Sequence, residues 1–550
     1  MTSEPPWHRT HLAVPRADEA LLAVPDLNAA VAAAKINAAG LDDCEIDLQG
    51  RPLSRLRREA NGEAIRLARV FTSDVLGDAV ANAVVGEPLI VPGHQPALYH
   101  PGVWAKNFAS AGIARRLGGS VLNLIVDNDI YSRPAIDVPA GTRAEPRREA
   151  VPFDVLQPPR PWERAKVKDA ETFRAFASRV SQKLRHFGVE PIVDAAWPAA
   201  TSRLALCGTL PECLTAARHS IEADWGLHNL ELPMSRLCET DSFLWFAGHL
   251  LAQLPRFNEV YNGTLSEYRR LYRIKSRNHP VPSLEERGDW LEAPFWVWRD
   301  DAPHRRRVFA RQSGKETMLA DDTGDVFATL PLASTMDACC AVEVLRTLPS
   351  QKIRFRTRAL TTTLFARLFL ADTFMHGIGG AKYDEMTDRI IARFIGIPAP
   401  SYATVSASLY LPFAEPFDAT SEDERRLLGL LRDLDQNPQR HLSHGIDPVL
   451  DRRLDEKEAL IAAQDAAWAE RGLSKSERRR RSAENGVRFE RLQRITQDLA
   501  TFTAEQRRHA LAELESVRRA RKANRVLTSR EFTFALYPEA KLRPFLTGLM

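Results

Sequence analysis

The sequence has few cysteines, and none of them lies in a pattern that carries chemistry. Six cysteines are distributed over 550 residues without a CxxC pair. Zinc sites and disulfide frameworks depend on recognisable cysteine spacings, so the sequence indicates neither of them and predicts no metal site. We expect the cysteines to be buried free thiols.

The sequence also lacks a long apolar run and a strong excess of charge. Its most apolar segments, residues 243–254 and 364–374, are shorter than the about 20 residues of a membrane span. Residues 1–11 are polar and lack the apolar stretch of a secretory signal. The net charge of +4 gives no case for binding nucleic acid or an anionic membrane. We therefore expect a cytoplasmic protein that binds neither of them.

The composition that remains is that of a globular protein with several parts. Hydrophobic residues make up 44% and charged residues 27% of the chain, and 550 residues exceed the roughly 250–300 that one core supports. We predict a helical cap at residues 1–85 and a core at 86–440 with connecting insertions at about 139–345. Residues 441–550 are predicted to form a helical hairpin or coiled coil whose tail returns to the core.

The predicted core begins with a pattern of strand, helix and strand. Residues 87–91 are a short apolar run, residues 103–117 are Ala-rich and precede two glycines, and residues 121–126 are again apolar. Such a unit normally lies in a parallel sheet, so we predict an α/β fold. Residues 191–194 are a candidate for a further strand, and residues 293–321 alternate polar and apolar residues like a β-hairpin.

Near the end of the chain the pattern becomes helical. Residues 447–524 contain almost no glycine or proline and are dense in charge. Leu492, Ile495, Leu499 and Phe502 recur at alternating steps of three and four, which is typical of helices packed side by side. The pattern lasts about two heptads, so it predicts a helical hairpin or a short coiled coil.

The turn at residues 93–96 follows the first strand of the predicted sheet. Ligands of open parallel sheets bind beyond the carboxyl ends of the strands, where turns lead into helices. Gly93 permits close backbone approach, and His94 can donate or accept a proton near neutral pH. Lys106 is predicted to lie in the first turn of the next helix, where a cation opposes the helix dipole. It either points into solvent or meets a bound phosphate or carboxylate.

An acidic segment, Asp127-Asn128-Asp129, follows the second strand. Two carboxylates at a strand end can hold an amine, a hydroxyl or Mg²⁺. Acidic residues in such places also cap helices and form turns, which is their commoner use. Both interpretations stay open from the sequence.

A third cluster at residues 376–382 precedes a predicted helix at 382–394. Three glycines in four positions suit an oxygen-rich ligand, although the segment matches no standard nucleotide fingerprint. Lys382 lies at the helix start and opposes the dipole as Lys106 does. Upstream, Arg354, Arg356 and Arg358 alternate on an extended segment, so they would share a face that meets water or an anion.

Together these motifs resemble the cysteine-adding enzyme family of bacillithiol biosynthesis, the cysteine ligases. The family's Gly-Gln-Gln-Pro turn and following lysine resemble Gly93-His94-Gln95-Pro96 and Lys106. Its acidic strand end, Glu-Asp-His-Asp, is similar to residues 126–129, and its Gly-Gly-Pro loop is similar to residues 379–381.

Two further segments resemble that family. Its arginine upstream of the glycine loop corresponds to Arg358, and its closing Leu-Phe-Pro segment resembles residues 534–538 followed by Leu542. Asn128 stands where the family has histidine, and Thr362-Thr363 stand where it has Gln-Asp. These departures leave open another amine acceptor or another amino acid.

The resemblance implies a Rossmann-like core related to nucleotidylyltransferases, with insertions and a C-terminal coiled coil that pairs two subunits. It implies a reaction that joins the carboxyl of cysteine to the amine of a glucosaminyl-malate acceptor. Because condensing a free carboxylate with an amine is uphill in water, the chemistry calls for ATP with Mg²⁺, although no nucleotide motif is present.

In this interpretation four residues carry catalysis, and a second set binds substrates or anions. His94 assists proton transfer, Lys106 stabilises charge, and Asp127 or Asp129 orients the amine. The predicted binding residues are Gly93, Gln95, Asn128, Arg358, His376, Gly379, Gly380 and Lys382. The alternatives are a nucleotidyltransferase that stops at an activated intermediate, which would release pyrophosphate without an amide, and a non-catalytic binding or assembly protein.

Overall fold

A computed structural model of the protein describes residue 7 and residues 12–77, 86–206, 208–274, 281–445, 447–469 and 474–550. Part of the predicted cap at residues 1–85 lies outside these residues, and so does Cys207. The chain clusters into two compact units. The sheet unit comprises Met1–Ala140, Arg148–Phe413 and Arg530–Met550, and the helical unit comprises Gly141–Arg147 and Ala414–Ser529.

The sheet unit is a mixed α/β structure built around a six-stranded central sheet. Its strands lie in the order Ala20–Val24, Tyr402–Ser408, Thr373–His376, Leu89–His94, Ser120–Ile125 and Leu230–Pro233. All neighbouring pairs are parallel except the first, where the edge strand runs antiparallel. The carboxyl ends of five strands therefore meet at one edge of the sheet.

A second, antiparallel sheet lies in the same unit. Its order is Val326–Pro331, Glu316–Asp321, Arg306–Ser313, Trp290–Arg299 and Ile353–Thr357, with Glu286–Arg287 added beside Trp290–Arg299. Ile130–Tyr131 pairs with Arg160–Pro161, and Ala135–Gly141 pairs with Pro146–Pro152. The predicted hairpin at 293–321 is thus three strands, and Gly314 occupies the second turn with φ +60°.

Helices surround these sheets. In the described part of the sheet unit, the α-helices are Leu27–Asp42, Leu53–Leu76, Pro101–Leu117, Ala170–Arg174, Phe176–Leu184, Val193–Ala205, Leu210–Asp224, Met234–Leu237, Asp241–Ala252, Leu254–Leu271, Cys339–Thr347, Ala359–Phe365, Ile378–Ile390 and Glu539–Thr547. Single 3₁₀ turns occur at Trp162–Arg164, Arg185–Phe187, Leu348–Gln351 and Phe534–Leu536, and π-helical turns occur at Ala366–Leu370 and Ile391–Ile395.

The helical unit contains the helices Ser421–Gln436, Pro448–Ala469, Lys475–Phe502 and Ala504–Leu527, with a 3₁₀ turn at Pro438–His441. Within the pattern found in the sequence, Ile495 and Leu499 are buried against Leu450 and Leu454. Phe502 is instead 40% exposed. The apolar spacing therefore produces a helical hairpin whose contact is limited to part of the pattern.

The predicted strand–helix–strand unit at residues 87–126 is confirmed, whereas the predicted strand at 191–194 is wrong. Residues from Val193 onward form a helix, and Val193, Ala196, Trp197 and Ala200 are buried at helical spacing. The remaining parallel strand is Leu230–Pro233. Its four residues are too few to show a periodicity in the sequence, so tertiary pairing decides their structure.

A buried ion pair fixes the start of the central strands. The Asp372 carboxylate accepts a hydrogen bond of 2.6 Å from the Leu89 amide and forms an ion pair with Arg57. Arg57 also donates to the carbonyl of Leu368. Arg57 also pairs with Asp42 at 3.1 Å. Because Asp372 is buried and Arg57 is its ion-pair partner, removal of Arg57 would leave a buried carboxylate without its cation, which is costly.

The helix Pro101–Leu117 lies unusually close to the strand Tyr402–Ser408. A methyl group on Gly102 would overlap the backbone carbonyl of Ala407. His100 caps this helix, since its Nδ1 accepts from the Gly102 amide at 2.9 Å while its Nε2 donates to the Leu409 carbonyl. Glycine at position 102 is therefore required for the helix to approach the sheet.

Gly102 and Gly40 provide a matched test of this close packing, since both lie in helices. No described atom lies within 4 Å of a methyl group built on Gly40. We expect Gly102→Ala to lower the free energy of unfolding by about 1–3 kcal/mol through overpacking. Gly40→Ala should raise it by about 0.5–1 kcal/mol because alanine favours a helix. Urea denaturation measures both, and equal effects would contradict the packing.

Candidate functional site

Two adjoining cavities lie at the carboxyl edge of the parallel strands. The larger has a volume of about 510 Å³ and the smaller about 310 Å³. They share a wall of Gln95, Val126, Ala359 and Thr362. Of the predicted site residues, the larger cavity is lined by Gly93, His94, Gln95, Lys106, His376, Gly379 and Gly380, and the smaller by Gln95, Asn128, Asp129 and Arg358. Residues from segments that are distant in the sequence therefore line two cavities that share one wall.

The strand Leu89–His94 contributes Gly93 and His94 to the lining of the larger cavity. A Cβ on Gly93 would lie 3.3 Å from the Leu124 carbonyl oxygen, so glycine relieves crowding between these two strands. His94 Nδ1 lies 3.2 Å from the Gln95 carbonyl, which requires the proton to be on Nδ1. Burial, reinforced by Lys106, lowers the pKa of His94 to about 3. The imidazole is therefore neutral at neutral pH.

Lys106 is buried and points toward the strand rather than into solvent. Its Nζ donates a hydrogen bond of 2.6 Å to the Gly93 carbonyl, and the residue is only 3% exposed. The helix begins at Pro101, so Lys106 lies in its second turn and not in the first. Burial lowers the pKa of Lys106 to about 8. Its charge therefore titrates close to neutral pH.

Asp129 is the carboxylate of the smaller cavity. Gln95 Nε2 donates to it at 2.9 Å, and Arg305 donates to its other oxygen at 2.9 Å. The Asp129 side chain remains 38% exposed. Since a carboxylate can accept about four hydrogen bonds, Asp129 keeps capacity for a ligand donor.

Asn128 and Arg358 also line the smaller cavity. Asn128 Nδ2 donates to the Thr357 carbonyl at 3.0 Å, which fixes the amide orientation, and its Oδ1 has no hydrogen-bond partner in the described structure. Arg358 pairs with Glu292 at 2.6 Å and lies over the Trp296 ring, 4.2 Å from its centre. Arg305 also lies over that ring, at 4.8 Å.

The glycine segment after the strand Thr373–His376 forms part of a helix rather than a preceding loop. The helix begins at Ile378, so Gly379 and Gly380 lie in its first turn. A Cβ on Gly380 would lie 2.6 Å from His376 Nδ1, and the His376 ring is held by Asp384 at 2.8 Å. Among the described residues, no side chain caps this helix. Its first amides therefore have neither an intrahelical nor a side-chain partner there, and the residues that carry them line the larger cavity.

Two of the predicted site residues do not line either cavity. Lys382 is exposed, and Asp127 is buried behind the strand end. Asp127 accepts from the Ser235 amide at 2.8 Å and from the Ser235 hydroxyl. Burial, and then Glu163, raise its pKa to about 7. The carboxyl of Asp127 therefore has a raised pKa, but it does not reach either cavity.

The three alternating arginines pair with carboxylates of the chain, and two of them share one carboxylate. Arg354 pairs with Asp300 at 2.7 Å, and Arg356 is buried and pairs with Glu163 through two bonds of 2.9 Å. Arg358 pairs with Glu292, as described above. Arg354 and Arg356 also donate to one oxygen of Glu239, at 3.3 and 2.9 Å. The anions that the three arginines meet are therefore carboxylates of the chain itself, contributed by other elements.

Arg530, Arg305 and Trp296 line the cavities without any signal in the sequence, and Thr362 was noted there only as a departure from the family's pattern. Arg530 lines the larger cavity, where it donates to Ser406 Oγ at 2.8 Å, and its Nε has no partner among the described residues. Thr362 belongs to the shared wall and lies 2.6 Å from Thr357 Oγ1. Trp296 lies in the antiparallel sheet, and Arg305 immediately precedes its strand Arg306–Ser313. Only the folding of distant segments onto each other identifies these residues.

One buried cluster in the described residues has metal-ligand spacing, formed by His219, Glu222 and Glu231. Arg218 pairs with both carboxylates, at 2.5 Å and 2.8 Å. Trp104 donates to Glu222 at 2.6 Å. Since these carboxylates already have a cation and several donors, the cluster serves as a buried anchor between helix and sheet.

Comparison with known proteins leaves the site to be interpreted from its geometry. No protein-family model and no curated protein matches the chain. Within the described residues, no helix combines the length and apolarity needed to cross a membrane. The fold and site therefore define a mixed α/β protein with paired cavities at the carboxyl edge of its sheet.

Asp127 gives a test of the electrostatics near the site. Its pKa of about 7 lies above the unfolded value of about 3.9, so the folded state binds the extra proton between these pH values. The free energy of unfolding therefore falls as pH rises through this window. The loss between pH 5 and 8 amounts to about 2.6 kcal/mol, and we expect Asp127→Asn to remove it.

Urea denaturation at both pH values measures the effect on Asp127. Asp301, which is exposed, provides the control variant Asp301→Asn. Parallel pH profiles for Asp127→Asn and the unsubstituted protein would contradict the raised pKa.

Proposed function

We propose that this protein is a carbon–nitrogen ligase that joins the carboxyl of an amino acid to the amine of a sugar conjugate in low-molecular-weight thiol biosynthesis. The amino acid is cysteine in the family that the sequence resembles. The observation that carries the proposal is the wall that the two cavities share at Gln95 and Thr362. Two substrates held on either side of this wall would bring a carboxyl and an amine together.

The larger cavity suits the activated carboxyl and its anionic group. The uncapped first turn of the helix Ile378–Ile390 offers amides to an anion at the positive end of the helix dipole. Arg530 and Lys106 add two cations to the same cavity. Together they would stabilise negative charge that develops on the reacting carboxyl.

The smaller cavity suits an acceptor that carries both an amine and carboxylates, such as glucosaminyl-malate. Asp129 would orient the amine, because its carboxylate keeps acceptor capacity and partial exposure. Arg305 and Arg358 lie over Trp296 and provide planar donors suited to carboxylates. The opposite charges in one small cavity support a zwitterionic acceptor.

Lys106 is better suited than His94 to a role that depends on charge. With a pKa of about 3, His94 is a weak base at neutral pH, so it would act as a neutral hydrogen-bonding group. The pKa of about 8 lets Lys106 carry its charge at neutral pH and lose it in mild alkali. We therefore assign charge stabilisation to Lys106.

ATP would supply the free energy for amide formation. Asp129 is the carboxylate among the cavity-lining residues, and Gln95 and Arg305 already occupy it. Arg305 would also repel a cation placed there, so this residue set does not fit a dedicated Mg²⁺ site. Mg²⁺ would enter with the ATP phosphates, and we assign it no protein ligand.

The proposal includes a Rossmann-like core related to nucleotidylyltransferases. Five neighbouring parallel strands, with the site at their carboxyl ends, support it. It also includes a coiled coil formed by the helical unit, which the hairpin of Pro448–Ala469 and Lys475–Phe502 supports.

Lys106 provides the test of the ligase proposal. Purified protein incubated with ATP, cysteine and glucosaminyl-malate should form an amide detectable by mass spectrometry. We expect Lys106→Met to lower kcat/KM at least about 100-fold, as for loss of a charge stabiliser. The rate should fall as pH rises through about 8, and Lys106→Arg should retain activity and move this fall to higher pH.

Lys315→Met serves as the control, because Lys315 is an exposed lysine away from both cavities. Release of pyrophosphate without amide would select the nucleotidyltransferase alternative. Unchanged ligand affinity and activity in Lys106→Met would contradict an enzymatic role for the larger cavity.

We also propose that the helical unit pairs two copies of the chain. Val487 and Phe489, in the helix Lys475–Phe502, are 68% and 58% exposed in the single chain. Residues two positions apart on a helix point to different sides of it, and single exposed apolar residues are common on protein surfaces. The pairing therefore rests on the coiled coil that the resemblance implies, and these two side chains serve as its probe.

Light scattering after size-exclusion chromatography tests this pairing. We expect twice the chain mass for the unsubstituted protein and a shift to the single-chain mass for the variant Val487→Glu with Phe489→Glu. Gln493→Glu, at an exposed position in the same helix, is the control. A single-chain mass for the unsubstituted protein at micromolar concentration would contradict the pairing.

A further inference from the structure

Two adjacent cysteines, Cys339 and Cys340, are both exposed. This differs from the expectation of buried thiols, which Cys213 and Cys238 meet. Burial raises the pKa of both buried thiols to about 12, so they are unreactive. Cys44 is half-buried. The pair at 339–340 is therefore the accessible dithiol of the described chain.

The backbone that presents this dithiol is firmly held. Gln49 Nε2 donates to the carbonyls of Ala333, Ser334 and Met336, at 3.1, 3.0 and 2.6 Å. Asp337 accepts from the Cys339 amide at 2.7 Å. The helix Cys339–Thr347 follows directly. The two thiols are therefore attached to an ordered helix start.

The geometry of Cys339 and Cys340 suits a bridging atom better than a direct disulfide. Consecutive Cα atoms lie about 3.8 Å apart, which is below the roughly 4.4–6.8 Å usual for disulfides. The two Sγ atoms lie 3.6 Å apart. Two bonds of about 2.3 Å, the length of a metal–thiolate bond, span this separation at an angle of about 100°. One soft atom can therefore bridge both sulfurs with the backbone unchanged.

Because the thiols are protonated at neutral pH, they favour a ligand whose own hydroxide groups take up the thiol protons and leave as water. A hydrogen bond with Cys340, and then one with Asp337, raise the pKa of Cys339 to about 11. A bare metal ion must displace thiol protons into solvent, which costs affinity at neutral pH. A hydroxylated trivalent arsenic compound instead takes up each proton on its own leaving hydroxide.

We propose that Cys339 and Cys340 form a binding site for trivalent arsenic compounds. Each S–H bond and each As–OH bond breaks, an As–S bond forms, and one water leaves. Two such exchanges attach one arsenic to both sulfurs and release two waters, while arsenic stays trivalent and no oxidant is needed. The site is separate from the two cavities, so this inference does not depend on the ligase proposal.

Phenylarsine oxide and the full reduced chain provide the test. After labelling, the protein is washed with excess 2-mercaptoethanol and analysed by intact mass spectrometry and peptide mapping. We expect one retained arsenic per chain on the peptide that contains both cysteines. Cys339→Ser and Cys340→Ser should each lower retention at least ten-fold, because a single thiol exchanges with the wash. Cys44→Ser, the control, should retain the adduct.

Each other outcome would overturn the proposal. Retention in both serine variants would place arsenic elsewhere, and loss from the unsubstituted chain would show that only one thiol binds. Zinc that displaces the arsenical at pH 7.5 would assign the pair to a metal ion. Unchanged circular dichroism of the serine variants confirms that lost retention reflects lost thiols rather than unfolding.

Discussion

The contact on which the site depends is the buried ion pair of Asp372 and Arg57. Asp372 also accepts from the Leu89 amide, so it aligns the starts of two neighbouring parallel strands. The far ends of those strands carry His94 and His376. Because a strand is stiff and its side chains alternate between faces, a fixed start determines which groups reach the carboxyl edge. The cavities at the strand ends therefore depend on the strand register that the ion pair fixes at the strand starts, several residues away.

Burial then gives the groups at this edge their chemistry. Lys106 is enclosed beside Gly93, which brings its pKa down toward neutral pH and gives the cavity a cation whose charge can change. The same enclosure, together with Lys106, keeps His94 neutral. One cation next to a neutral imidazole suits a site for anions, since neither group has to pair with a protein carboxylate. The smaller cavity differs, because Asp129 and two arginines place both signs of charge on its walls.

Much of the fold around the site follows from local sequence patterns. The apolar run before Gly93, the Ala-rich helix after it and the glycines that close it predict the strand–helix–strand unit, because these signals act over a few residues. The strand Leu230–Pro233 and the helix at Val193 were not predicted. Four residues carry too little periodicity, and the helical burial of Trp197 competes with the apolar appearance of residues 191–194.

The sequence by itself located Gly93 and Gly379 where strands pass into helices, since glycines in such places reflect local crowding and helix starts. Only the tertiary structure decided that Gly93 belongs to its strand, that Gly379 lies in the first turn of its helix, and what each of them meets. It brought Arg530 and Arg305 to the cavities and placed Asp127 behind one of them. It also directed Lys106 inward and left Lys382 exposed. Pairing, burial and pKa depend on groups contributed by distant segments, and a linear pattern does not contain those distances.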